Sequence, residues 1–191
     1  MSPPARAGAR LRLERSIATE PRVPADPPRP ATRIRAATAT DAPVLATLRL
    51  ELRTGVSPDI VPEDGFQARC AAWMADRLAR RGNWHCWLAE EGDGTPLGTV
   101  WVEIIERLPN PEGEPEQHGY LTGFYVRAAA RNRGVGSALL EAALARCAEL
   151  RADTVFLWPT PRSRVLYARY GFTERSGILE HRIEYGPPGT S

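Results

Sequence analysis

The stretch "YLTGFYVRAAARNRGVGSALLEAALARCAEL", residues 120–150, decides how the 191-residue chain is read. Tyr120 to Val126 is aromatic and β-branched, which suits a buried strand. From Gly134 to Leu150, Val135, Leu139, Leu140, Ala143, Leu144, Cys147 and Leu150 recur at helical spacing and form one apolar stripe. A second short apolar run, "DTVFLWP", follows from Asp153. Strand, helix and strand in that order predict a right-handed crossover between two parallel strands, Tyr120–Val126 and Thr154–Trp158.

Between the first strand and the helix lies Arg131-Asn132-Arg133-Gly134-Val135-Gly136. A plain turn has little use for two arginines and two glycines. The first amides of a helix lack intrahelical partners, and the helix dipole adds positive potential there. Gly134 and Gly136 allow close approach of a ligand, Arg131 and Arg133 add charge, and Ser137 adds a hydroxyl. The pattern fits a phosphate or pyrophosphate. Two familiar phosphate loops are excluded. A dinucleotide turn needs GxGxxG after a first strand, and here only GxG follows a central one. A P-loop needs lysine, and the chain has none.

The flanking elements complete a single α/β domain. Thr32 to Ala36 suits a short strand, and Thr40 with Pro43 suits a helix start followed by Val44, Leu45, Leu48 and Leu52. A second helix is expected from Pro62 to Arg81, with Phe66, Cys70, Trp73, Met74 and Leu78 inward. Trp84–Glu90 and Leu97–Ile105 read as a hairpin around "EGDGTP". A polar loop, residues 107–118, leads into a strand from His118. Past the second parallel strand come a helix "SRVLYARY" and two closing strands, Phe172–Glu174 and His181–Tyr185. The expected order is β-α-α-β-β-β-α-β-α-β-β, α/β (α+β) in class.

Hydrophobic residues at 42% and charged residues at 25% are enough for one packed core. The net charge of +2 is too small to argue for nucleic acid or a membrane surface. Residues 1–31, rich in Pro and Arg, are expected to be a disordered tail, with the domain at 32–186 and a short tail at 187–191. All basic side chains are arginine, which fits a GC-rich codon bias. Cys70, Cys86 and Cys147 show no CxxC pair and no histidine at ligand spacing, so reduced thiols, no metal and a cytoplasmic setting are expected. No run approaches the roughly 18 apolar residues of a membrane span.

Val126-Arg127-Ala128-Ala129-Ala130-Arg131-Asn132-Arg133-Gly134-Val135-Gly136 resembles the V-x-P-x-x-R-G-x-G-x-G pattern of the GNAT acyltransferase superfamily. Ala128 stands where proline is common and Asn132 where glycine is common. "LYARYGF", Leu166 to Phe172, is similar to the family's late helix ending in Y-x-x-x-G-F. The resemblance spans residues 32–186 through element order. It implies a mixed sheet of about six to seven strands with a splayed parallel fourth and fifth pair and flanking helices. It also implies acetyl-CoA as co-substrate. The pyrophosphate would lie on the amides of Arg133, Gly134, Val135, Gly136 and Ser137, and the pantetheine would pair with the Phe124–Tyr125–Val126 backbone. An amide there would polarise the thioester carbonyl.

The resemblance assigns Tyr167 as the acid that protonates the departing thiolate, with Tyr170 as packing. Trp158-Pro159 replaces the small polar cofactor contact that follows the fifth strand, and Ser163 is the candidate in its place. For the base that takes the amine's proton, Glu103 is the candidate, with Glu106 and His118 as alternatives. Glu103, Glu106, Glu112, Glu114 and Glu116 could face a cationic amine or form a solvated acidic loop. The expected activity is acetyl transfer to an amine of a small molecule or protein. The alternative is a GNAT-fold module that senses acyl-CoA or an amine without turnover. A toxin acting on aminoacyl-tRNA ranks third. A homodimer through edge strands is the default assembly.

Overall fold

The computed structural model describes residues 31–80, 82–109, 111, 113, 117–174 and 181. Five strands form one sheet in the order β1 (Arg33–Ala36), β2 (Trp84–Glu90), β3 (Pro96–Glu106), β4 (Gln117–Val126), β5 (Thr154–Phe156). Neighbours are antiparallel except β4 and β5, which run parallel as the crossover requires. Helices α1 (Ala42–Val56) and α2 (Phe66–Ala79) pack against one face. Helix α3 (Val135–Glu149) covers the other, and α4 (Arg164–Arg169) follows β5.

Strand β3 is buried on both faces, so its apolar residues alternate between two cores. Val100, Val102 and Ile104 meet Leu121, Leu139, Leu140, Ala143 and Cys147 on the α3 side. Trp101 meets Leu45, Leu48, Met74 and Leu88 on the α1/α2 side. Each fully buried leucine contributes roughly 1.5–3 kcal/mol of transfer free energy. The α3 stripe read from sequence is therefore the face that fixes this helix, and with it the turn before it.

Several boundaries differ from expectation. The first helix starts at Ala42 rather than Thr40, because Thr38 opens a short 3₁₀ turn over Ala39–Asp41 and its amide donates to Asp41 Oδ2 at 2.7 Å. The second helix begins at Phe66, not Pro62, because Gly65 turns left-handed at φ 73° just before it. Trp73, expected inward, is 41% exposed and leans edge-on to Trp84 with Arg77 over its ring. Five strands stand among the described residues instead of six to seven. Phe172–Glu174 forms no strand. Most of the His181–Tyr185 strand and residues 1–30 of the proposed tail lie outside the described residues, as do the 187–191 tail and Glu112, Glu114 and Glu116.

Arg35 on β1 ties this end of the sheet together. Its guanidinium donates to Asp41 at 2.7 and 2.8 Å and to Glu90 at 2.7 and 2.9 Å. The guanidinium holds the Asp41 carboxyl well below its ordinary value, at about 2. A depressed carboxylate pKa gives stability that is present above about pH 4 and lost as pH falls through 2. Arg35→Met is expected to cost about 1–2 kcal/mol at pH 7. It is also expected to flatten the stability profile between pH 4 and 2. Urea unfolding across that range checks both, and an unchanged profile would refute the assignment.

Candidate active site

The site begins with a difference in strand length. Pairing between β4 and β5 stops at Tyr120 opposite Phe156, while β4 runs on to Val126. Beyond Tyr120 the β5-facing edge of β4 has no strand beside it among the described residues. A break in register against β3 falls between Thr99 and Trp101, opposite Thr122 and Tyr125. Gly123 occupies this bulge at φ 58°, and a Cβ there would lie 3.0 Å from the Trp101 ring. The extra residue switches the alternation of side chains. Phe124 and Val126 thereby turn toward the α3 core, and Tyr125 toward α1.

Helix α3 opens beside this free edge. Its N-cap is Gly134, at φ 82° and without a side-chain cap. Ala138 is the first amide to bond within the helix, to the Gly134 carbonyl at 3.0 Å. The amides of Val135, Gly136 and Ser137 therefore point out of the helix end. A Cβ on Gly134 would meet nothing within 4 Å, whereas one on Gly136 would touch Leu166, Phe124 and Val126. Asn132 also sits left-handed, at φ 59°. An uncapped, unobstructed helix end next to a free strand edge fits a phosphate-bearing chain such as CoA.

The two arginines of the turn differ. Arg131 donates through Nε to the Val126 carbonyl at 2.9 Å, folding the turn back onto the end of β4. Its terminal nitrogens bond to no described residue. Arg133 is ion-paired with Glu91 in the β2–β3 turn at 2.7 Å, so its charge is already matched. Ser163, the candidate after β5, closes a turn instead. Its Oγ accepts from the Thr160 amide and donates to the Thr160 carbonyl, each at 3.0 Å.

Tyr167 projects from α4 into the α3-side core. It is 6% exposed, with its ring near those of Phe124 and Phe172. Burial pushes its phenol up to about 12, and no described residue hydrogen-bonds its hydroxyl. Tyr170 is half-buried against the same core, and its hydroxyl donates to Glu141 at 2.6 Å.

The opposite face of the sheet holds Glu103 and His118. Glu103 is half-buried, paired in register with Trp84 on one side and Tyr120 on the other. Its neighbours Val102 and Ile104 face α3, so Glu103 faces the α1/α2 side. Tyr120 stacks on Phe156 at 5.4 Å and meets Trp158 edge-on, and Trp158 is 64% exposed. His118 is held instead by Asp153, at 2.6 Å, which also takes Arg107. Glu106 is exposed at the end of β3. Sequence reasoning did not single out Tyr120, Trp84 or Arg49. The one available signal was an arginine interrupting an apolar stripe, since Arg49 follows Leu45 by one helical turn.

A parallel strand pair that parts beside an uncapped helix N-terminus defines the class of α/β architecture to which the chain belongs. A profile of the Acetyltransferase (GNAT) family matches residues 50–172, and the chain belongs to that family. Solved structures share the fold. A predicted acetyltransferase of Clostridium acetobutylicum, solved with acetyl-CoA, is 22% identical, with a TM-score of 0.67 over 80% of this chain and 96% of its own. A GCN5-related N-acetyltransferase of Ralstonia eutropha is 27% identical, with a TM-score of 0.67 over 80% and 99%. Glucosamine-6-phosphate N-acetyltransferase of Arabidopsis thaliana is 15% identical, with a TM-score of 0.63 over 81% and 99%. No curated protein matches the chain significantly in sequence.

Proposed function

We propose that the protein transfers an acetyl group from acetyl-CoA to a primary amine by direct attack. One observation carries the reading: β4 outruns β5 where the uncapped end of α3 opens. The pyrophosphate is received by the amides from Arg133 to Ser137 and by the terminal nitrogens of Arg131. The pantetheine lies along the Phe124–Tyr125–Val126 edge, where a backbone amide polarises the thioester carbonyl. Arg133 shapes the turn through Glu91 rather than adding charge. Ser163 holds the chain that enters α4.

The acceptor approaches from the α1/α2 face. Its nitrogen must be unprotonated to attack, and a free alkylamine titrates near ~10. Glu103 draws that proton away through a bridging water. The C–N bond forms, the C–S bond breaks, and the electron pair leaves on sulfur. Tyr167 donates a hydrogen bond to that sulfur from the α3 side. No described helix is long and apolar enough to cross a membrane, and the three described thiols are free. We place the activity in the cytoplasm.

Release of CoA thiol against an amine panel tests the reading. Tight CoA binding with no turnover on any amine would make the protein a sensing module instead. Tyr167→Phe is expected to lower kcat by roughly tenfold to a hundredfold with a near-normal Kd for CoA. Because burial holds the phenol at about 12, Tyr167 stays protonated across the assay range. The ratio of wild-type to variant rate is therefore expected to be flat from pH 6 to about 10. An unchanged rate would leave Tyr167 as a packing residue.

A further inference from the structure

Among the described arginines and carboxylates, two are partly buried and make no hydrogen bond or ion pair with a described residue. Arg49 is the one described arginine that is not exposed and makes no hydrogen bond or ion pair with a described residue. Arg33, Arg53, Arg151, Arg162 and Arg169 also lack partners, but all are exposed. Glu103 is the one described carboxylate of which the same holds. Both are half-buried, and a charge partly withdrawn from water without a partner carries a cost, so two such groups of opposite sign ask for an explanation.

They lie on the same side of the sheet. Gly119 abuts Cys147 of α3 and Leu121 lies in the α3-side core, so Tyr120 between them faces α1 and α2. Glu103 is its cross-strand partner on that face. Arg49 follows the fully buried Leu45 by one helical turn, on the side of α1 that packs against this face of the sheet. Burial and the neighbouring Arg53 both push the Arg49 guanidinium's pKa down. Arg49 and Glu103 form no ion pair with each other.

We infer that the acceptor is an amine that also carries an acidic group, a carboxylate or a phosphate, with Glu103 receiving the amine and Arg49 the acid. The inference rests on the transferase reading above and narrows its substrate class. Tyr120 stacks on Phe156 and Trp158 meets both edge-on, which supplies an aromatic wall beside Glu103. A diamine or polyamine would set its second ammonium against Arg49, so the same arrangement disfavours purely cationic acceptors.

The test uses the full chain saturated with CoA or acetyl-CoA. The panel contains ω-amino acids, amino-sugar phosphates, alkylamines and diamines of matched length. Turnover is read as kcat/KM from thiol release, and binding separately by calorimetry on the CoA complex. Acid-bearing amines are expected to exceed alkylamines and diamines on the order of tenfold or more in both readouts. The carboxylate and phosphate arms identify which acid is taken. In Arg49→Met that preference is expected to collapse toward one, with Arg49→Lys retaining part of it. The Tm of Arg49→Met without ligand is expected to rise by about 3 °C, because an unpartnered charge is removed.

Equal or better use of alkylamines or diamines would overturn the inference, as would a preference untouched by Arg49→Met or a failure of any acid-bearing amine to bind. Arg49-dependent binding of an acidic amine without turnover would instead uphold the site and refute the transferase reading.

Discussion

Gly134→Val is expected to raise the Kd for CoA at least on the order of a hundredfold while leaving the fold standing. The N-cap of α3 sits at φ 82°, where a β-branched side chain is strained by about 1–3 kcal/mol. The chain relieves that strain by rotating the peptide planes on either side of residue 134. Those planes carry the amides that must converge on a pyrophosphate. Losing one or two charge-assisted hydrogen bonds, each worth about 1.5–3 kcal/mol, accounts for the hundredfold. The fold survives because nothing lies within 4 Å of the added Cβ. Calorimetric titration with CoA, alongside a thermal melt, reads both effects. Gly134→Asn separates the causes, because asparagine tolerates the left-handed region. Retained affinity there assigns the requirement to backbone conformation, and lost affinity assigns it to close approach of the phosphate. An unchanged Kd in the valine variant would refute the pyrophosphate site.

Glu103→Gln is expected to lower kcat/KM with the preferred amine on the order of a hundredfold at unchanged CoA affinity. A positioned base typically contributes 10²–10⁴ in rate, and glutamine keeps the shape while losing proton affinity. The carboxylate lies across the sheet from the proposed CoA turn's supporting core, on the α1/α2 face, so the donor site should not feel the change. Partial recovery in Glu103→Asp would confirm that the charge matters rather than the packing. A rate within twofold of wild type would move the base elsewhere, with His118 disfavoured by its engagement with Asp153.

The strand–turn–helix of the proposed donor site was legible because its signal is local. Strand, turn and helix from Tyr120 to Leu150 are contiguous, and glycine positions report backbone conformation directly. Gly134 is left-handed at the helix start as its place in the turn requires. The same reading could not see that Arg133 spends its charge on Glu91, a residue 42 positions away. Nor could it see that Ser163 closes its own turn on Thr160. A hydroxyl or guanidinium has several partners within reach, and the choice among them is settled by which strands become neighbours.

The acceptor half was read only in outline. Glu103 stood out because it is an acid within an apolar strand, but its face followed from alternation only once Val102 and Ile104 were assigned to the α3 core. Arg49 carried a weak signal, one charged residue in an inward helical stripe, which is indistinguishable in sequence from an arginine extending to water along the helix surface. Tyr120 and Phe156 read only as strand residues, and Trp158 only as an unusual replacement for a cofactor contact.

The sequence by itself determined the crossover, the uncapped glycine turn and the family, because periodicity and glycine placement act within a few residues. Only the tertiary structure decided which charges are satisfied and which are left facing the acceptor side. Ion pairing and burial depend on residues brought together across the sheet, and no local pattern encodes the partner a side chain does not find.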